Sequence, residues 1–197
     1  LILVRHGQTD DNAAVRHQVY TSPLSELGRA QARLVAERLR NVKADALYTS
    51  DLTRALQTAE PISIATGLAP RLDARLREHD VGDAKGLTPE EALAKYGDVY
   101  ARSRADDFDV ELPHGESRRK LLARAAAAVT EIATAHAGGR VIVVTHGGTL
   151  RCVLMHALAI PESHFPRIDT PNTGVNVFRF AGGTFDLVTW GDTRHLE

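Results

Sequence analysis

A chain of 197 residues that is 43% apolar and 25% charged can bury one sizeable core, as one globular domain with room for a small cap. Its formal net charge is -1 and it has no run of Lys and Arg, which argues against nucleic acid and acidic membranes as partners; affinity for an anion has to come from a local site. A single cysteine, Cys152, excludes an internal disulfide and a CxxC metal knuckle, and no apolar run approaches the ~20 residues of a membrane helix.

The chain opens at Leu1 and its one methionine is Met155, so a few native N-terminal residues are expected to precede it. No signal peptide is visible, and a cytoplasmic location is expected. Leu1–Val4 is a continuous apolar run of strand type that stops at Arg5-His6-Gly7. Behind Ser25, a predicted N-cap, Leu24, Leu27, Ala30, Leu34 and Leu39 recur near helical spacing. Ala44–Thr49 reads as a second strand, after which Ser50 is predicted to cap a helix running through Leu52, Ala55, Leu56, Ala59 and Ile62. Glu60-Pro61 falls inside that pattern and predicts a kink or break.

Arg71–Pro113 is the least regular part: a loop over Leu76–Gly86, a short helix over Pro89–Tyr96 begun by Thr88, and a polar segment over Arg102–Glu111. Ser117–Ala137 is an Ala-rich helix ended by Gly138-Gly139, Val141–Val144 a buried strand, and Thr149–Leu158 another helix. Val175–Phe180 and Phe185–Thr189, joined by Gly182-Gly183, form a β-hairpin. The alternation of strand and helix predicts an α/β layered domain with a mainly parallel sheet and an antiparallel final strand.

Two segments share one design. Leu1–Val4 runs into Arg5-His6-Gly7, and Val141–Val144 runs into Thr145-His146-Gly147-Gly148. Ligands of parallel sheets sit outside the carboxyl ends of the strands, and each of these strands delivers a histidine there. A helix N-terminus behind the second histidine favours an anion. The strand ending at Thr49 leads to Arg54, about one turn into a helix at the same edge. Two histidines and two arginines around one anion point to phosphate, because Arg clamps phosphate oxygens bidentately and stays charged. The same cations depress the histidine pKa and keep an imidazole nitrogen neutral and nucleophilic.

Leu3-Val4-Arg5-His6-Gly7-Gln8-Thr9 resembles the signature of the histidine phosphatase superfamily, which includes the cofactor-dependent phosphoglycerate mutases. Further matches follow in the family's order: Pro23-Leu24-Ser25 through Gly28 to Gln31-Ala32, Ser50-Asp51-Leu52 with Arg54-Ala55, Leu76-Arg77-Glu78 with Gly82 and Gly86-Leu87-Thr88, Gly115-Glu116-Ser117, and Thr145-His146-Gly147-Gly148. The resemblance covers essentially the whole chain. It implies a three-layer α/β/α sandwich with a small helical cap insertion, one domain over residues 1–197 with the cap at about 79–115. It also implies His6 as the nucleophile, Arg5, Arg54 and His146 as holders of the phosphoryl oxygens, and Glu78 as proton donor to the leaving group. Asn12 and Gly147 fall at positions that touch phosphate, with neither cofactor nor metal implied. A small phosphomonoester is then the expected partner, in the cytoplasm, and the terminal hairpin offers an edge through which a homodimer could pair.

Within that family the sequence leans toward hydrolysis. The segment between Glu78 and Gly115 is shorter than in the mutases, which tend to have Tyr where this chain has Val81, Lys near Pro89 and Asn at Gly148. A shorter cap leaves a phosphoenzyme open to water. Arg102 and Arg104 could stand in for the mutases' substrate-binding arginine pair, so a mutase is the alternative, and a weakly active phospho-ligand-binding module the reading from another class. In the middle segment Tyr96, Tyr100, Arg102, Arg104 and Phe108 are candidates for setting the substrate, and His79 and His114 could enter the pocket. Asp106, Asp107, Asp109 and Glu111 read as a solvated loop rather than a cation site.

Overall fold

The apolar run that opens the chain becomes β1 (Ile2–Arg5) in the computed structural model, which describes residues 1–105 and 107–197. After it come α1 (Asp10–Ala13), α2 (Glu26–Leu39), β2 (Ala46–Thr49), α3 (Thr53–Thr66) and β3 (Pro70–Leu72). α4 (Pro89–Arg104), α5 (Arg118–Ala135), β4 (Val141–Thr145), α6 (Gly147–Leu158), β5 (Val175–Ala181) and β6 (Thr184–Asp192) complete the order. The strands form one sheet in the order β3-β2-β4-β1-β5-β6. β1 and β2 flank β4 in parallel, and β5 runs antiparallel to both β1 and β6. The strand opposed to the rest is therefore the penultimate one, β5, and the last strand returns to the common direction.

The period-two alternation of the strands separates two cores. Val4, Leu47, Ile142 and Val144 pack with Val35, Ala36 and Leu39 of α2 and Ala55, Ala59 and Ile62 of α3. Leu3, Ala46, Val141 and Val143 point the other way, into Leu121, Ala125, Ala128, Val129 and Ile132 of α5 and Leu150, Val153 and Leu154 of α6. β4 is covered on both sides, and all five of its residues are buried. This is the expected three-layer sandwich. A smaller cluster of Ala84, Ala92, Tyr100 and Leu112 gives the segment around α4 a core of its own.

Local chemistry sets several boundaries away from the sequence reading. Ser25 caps α2 as expected, its side chain accepting from the Gly28 N–H. Ser50 caps nothing: α3 starts at Thr53 behind Leu52, without a side-chain cap. Pro61 leaves α3 unbroken, and the helix runs on to Thr66. Thr88 opens α4 in a reciprocal capping box with Glu91. Tyr96 precedes a real interruption, Gly97 at φ 52°, after which the chain turns helical again to Arg104. α5 ends at Ala135, before the two glycines expected to stop it. The Leu76–Gly86 loop contains a 3₁₀ turn over Gly82–Ala84. β3, three exposed edge residues starting on a proline, and the short α1 carry no periodic signal and went unpredicted. No helix among the described residues is long and apolar enough to cross a membrane.

Candidate active site

Register brings the site together. β1 pairs with β4 so that Arg5 lies opposite Thr145, and β2 pairs with β4 so that Thr49 lies opposite Val144. The ladder continues one step past each strand: the His6 N–H donates to the Thr145 carbonyl (2.9 Å) and the Ser50 N–H to the Val144 carbonyl (3.0 Å). His6, Ser50 and His146 thus leave neighbouring strand ends at one level, and the two imidazole centres stand 5.0 Å apart.

Each ring has a defined orientation. His6 Nδ1 lies 2.7 Å from the Gly7 carbonyl oxygen, which can only accept. Nδ1 therefore carries the proton, and Nε2 keeps its lone pair. The ring is fully buried, and its pKa is pressed well below the ordinary histidine value, by burial first and then by Arg5 and Arg54. Its neighbour Gly7 packs so closely on α2 that a Cβ there would lie 2.5 Å from the Gly28 carbonyl oxygen. On His146, Nε2 is 2.8 Å from Ser50 Oγ, which itself accepts from the Leu52 N–H. If the Ser50 hydroxyl hydrogen goes to Nε2, Nδ1 is the N–H of His146. Burial, then Arg54, His6 and Arg5 in turn, lower this pKa too.

Of the two arginines, Arg54 is buried and Arg5 partly so. Arg5 Nη1 donates to the Thr170 carbonyl at 2.5 Å, and Arg54 Nη1 to the Val19 carbonyl at 3.0 Å. Burial lowers the Arg54 pKa to about 10. Gly147 lies against Thr170 and Arg5: a Cβ at this position would sit 3.0 Å from Thr170 Oγ1 and 3.4 Å from Arg5 Nε. Among the described residues, the buried side-chain polar atoms with no hydrogen-bond partner are Arg5 Nε, His6 Nε2, Arg54 Nε and His146 Nδ1. Leaving such a group unsatisfied costs about 1–3 kcal/mol. Two guanidinium N–H donors, a second imidazole nitrogen and one lone pair on adjacent elements suit a phosphoryl group, whose oxygens take the donors while its phosphorus faces His6 Nε2.

Glu78 stands beside the N-terminus of α6. Its Oε2 accepts from the Gly148 N–H at 3.1 Å and its Oε1 from the His79 N–H at 2.9 Å. A Cβ on Gly148 would lie 2.4 Å from Oε1, so glycine is what lets the carboxylate approach. Asn12 closes a capping box with Thr9 on α1 and also lines the cavity above the site. That cavity, of about 190 Å³, reaches Arg54, Glu78, Gly148, Arg104 and His79. His6 and His146 do not line it and are wholly covered.

Of the middle-segment candidates, only Arg104 and His79 reach the cavity. Arg102 is paired with Asp107, His114 is an exposed partner of Asp83, and Tyr96 donates to the Asp83 carbonyl. Tyr100 is buried against His17 Nε2, and Phe108 is buried in the α5–α6 core. Asp109 pairs with Arg119 and Glu111 with Lys120; Asp106 lies outside the described residues.

Sequence reasoning overlooked Ser50 as a partner of His146, and the cavity-lining Arg118 and Arg151. Arg151 had a signal. It is four residues past Gly147 in a helix, hence on the same face.

The profile of the histidine phosphatase superfamily (branch 1) matches residues 1–193. The chain belongs to this superfamily. It is 39% identical over 203 residues to phosphoglycerate mutase-like protein 4 of Arabidopsis thaliana, covering 100% of this chain and 86% of that protein. It is 37% identical over 202 residues to a metal-independent phosphoserine phosphatase of the same plant, covering 100% and 83%. The structure of a mycobacterial glucosyl-3-phosphoglycerate phosphatase superposes with a TM-score of 0.85 at 33% identity, covering 98% of each chain. This histidine phosphatase is accordingly a phosphoric monoester hydrolase.

Proposed function

We propose that this histidine phosphatase hydrolyses a small phosphorylated metabolite in two transfers through His6, without a metal ion, as one domain whose cap segment at about 79–115 covers the site. The observation that carries the reading is the buried His6 Nε2, held as a lone pair by the Nδ1–Gly7 bond and grouped with the unpartnered Arg5 Nε, Arg54 Nε and His146 Nδ1. In the first transfer the Nε2 lone pair bonds to phosphorus while the phosphorus–oxygen bond to the alcohol breaks. Glu78 gives its proton to the departing oxygen. In the second, Glu78 takes a proton from water as the water oxygen bonds to phosphorus and the phosphorus–nitrogen bond breaks. Nδ1 keeps its proton throughout, and the Gly7 carbonyl steadies the cationic ring. Arg5, Arg54 and His146 meet the charge on the equatorial oxygens, which is where a loose phosphoryl transition state carries it.

The named substrates of two relatives, phosphoserine and glucosyl-3-phosphoglycerate, support a small phosphomonoester. Against the mutase alternative, Arg102 is turned to Asp107, so only one of the two candidate arginines reaches the cavity. The test is hydrolysis of p-nitrophenyl phosphate in EDTA, beside His6→Ala. Turnover well above the variant and indifferent to EDTA is expected. A rate equal to that of His6→Ala, or a strict need for added divalent metal, overturns the reading.

A further inference from the structure

β1 and β5 pair as far as Val4 and Val175, and beyond that point the loop ahead of β5 takes hold of Arg5 and His6. The Thr173 N–H reaches the carbonyls of Arg5 (3.1 Å) and His6 (3.4 Å), and Asn172 Nδ2 donates to the His6 carbonyl at 2.9 Å. That carbonyl belongs to the peptide unit between the His6 Cα and Gly7, whose own carbonyl holds Nδ1. Where this unit stands decides where Nε2 points.

Thr173 is fully buried and has φ 53°. A β-branched residue seldom adopts this left-handed conformation, and it persists only where the surroundings over-determine it. Here they do so from outside the site. Arg38 of α2 donates through Nη1 to Nδ1 of His195, which lies in the 3₁₀ turn Arg194–Leu196 behind β6 (3.2 Å). A guanidinium only donates, so Nδ1 is the acceptor and the proton of the neutral ring is on Nε2. Nε2 donates to Thr173 Oγ1 at 3.1 Å, and the threonine hydroxyl donates to the Asn172 carbonyl at 2.8 Å. Burial first, and then the Arg38 charge, lower the His195 pKa, which suits the neutral ring. Arg38 is itself fixed by Asp192, with Nη2 donating to Oδ2 at 2.5 Å and Nη1 to the carbonyl at 3.3 Å. One run of donors thus leads from α2 to the carbonyl of the nucleophile. None of Arg38, Asn172, Thr173 and His195 lines the cavity over the site, so any effect on the reaction passes through His6.

We propose that His195 is a positioning residue, which acts through Thr173 and Asn172 to hold the His6 main chain where Nε2 meets phosphorus. The role rests on the phosphatase reading above, and the two fail differently. A misplacement of ~1 Å caused far from the chemistry can cost ~10²-fold in rate.

His195→Asn and His195→Gln separate this role from packing. In His195→Asn a side-chain oxygen stands near the place of Nδ1 and keeps a partner for Arg38, but no donor reaches Thr173. In His195→Gln the amide extends to the place of Nε2 and restores that donor. Compared at equal folded fraction, His195→Asn should lose about tenfold in kcat/KM on p-nitrophenyl phosphate and on an alkyl phosphate alike, with His195→Gln within about twofold of wild type. The inhibition constant of inorganic phosphate should move less, because Arg54 and His146 still hold the anion. Thr173→Val keeps the shape and deletes the hydroxyl; it should lose as much as His195→Asn, and the double variant no more than either. A wild-type kcat/KM in His195→Asn, or an equal fall in His195→Gln, overturns the role and leaves a His6-dependent phosphatase standing. Additive losses in the double variant also overturn it. So does a loss confined to alkyl phosphates, which would pass through Glu78 instead. Wild-type turnover no faster than that of His6→Ala removes the phosphatase reading and the positioning role together.

Discussion

Glu78 and Gly148 are seventy residues apart in the chain and share one hydrogen bond at the mouth of the site. A general acid at Glu78 matters in proportion to how poor the leaving group is, and is typically worth about 10²–10⁴-fold. Glu78→Gln is therefore expected to lose kcat/KM, which reports the transfer to His6, on alkyl phosphates by that order while losing far less on aryl phosphates; equal losses in kcat/KM on both would remove Glu78 from the role of acid. Gly148→Ala should reproduce the same selective loss in a folded protein, because its Cβ would stand 2.4 Å from Glu78 Oε1 and displace the carboxylate rather than remove it. An alanine variant with unchanged alkyl-phosphate kinetics contradicts this placement. His6, Arg5, Arg54 and His146 were legible in the sequence because each follows a strand end or opens a helix in a motif. Ser50 was legible as a residue but not in its task. It looked like a helix cap, and only the pairing of β2 with β4 turns its hydroxyl toward His146.

The loop that carries Glu78 is fastened by α5 and α6 rather than by its own sequence. Arg124 of α5 donates to the carbonyls of Arg75 (2.8 Å), Arg77 (2.7 Å) and Glu78 (2.9 Å) while pairing with Glu116. Glu116 in turn accepts from the Asp80 N–H, and Thr149 donates to the Arg77 carbonyl. Arg124→Met strands these carbonyls and the Glu116 carboxylate in a half-buried place, a loss of about 3–5 kcal/mol for a broken buried pair, discounted here for the partial exposure of both groups. The expected outcome is a lower urea midpoint together with a drop in alkyl-phosphate turnover that exceeds the drop on aryl phosphates. A variant that loses stability but keeps the wild-type alkyl-to-aryl ratio would make the clamp purely structural. Long helices with regular apolar spacing, such as α2 and α5, are readable from the amino-acid sequence alone. The clamp is not, since its partners lie about forty to fifty residues apart and no periodicity announces them.

Two fully buried histidines, His6 and His146, are kept uncharged in the interior and add to the acid sensitivity that burial also gives His17, His79 and His195. Unfolded, His6 and His146 titrate near 6.5; folded, both are pressed well below that value, by burial first. Below pH 6.5 the unfolded chain therefore binds more protons than the folded one, and stability is lost as pH falls. Above it the contribution is fully present. Each ring is expected to cost on the order of 1 kcal/mol per pH unit in this window, above the range where carboxylates protonate. Urea midpoints should hold from pH 7.5 to about 6.5 and fall from there to 5.5, and His146→Asn should flatten that fall; an unchanged slope would mean that the ring is not kept neutral. The layered fold itself was legible from the alternation of strands and helices, because two-sided burial leaves apolar runs like that of β4. The charge balance of the cavity was not, since Arg104 and Arg151 come from separate helices that only the assembled sandwich brings together. The most direct test of the account is to quench a reacting sample in alkali and map the phosphoryl group by peptide mass. A base-stable, acid-labile phosphoryl on the peptide containing His6, absent from His6→Ala and accumulating in Glu78→Gln with an aryl phosphate, is the predicted result. Full turnover with no phosphohistidine at this position contradicts it.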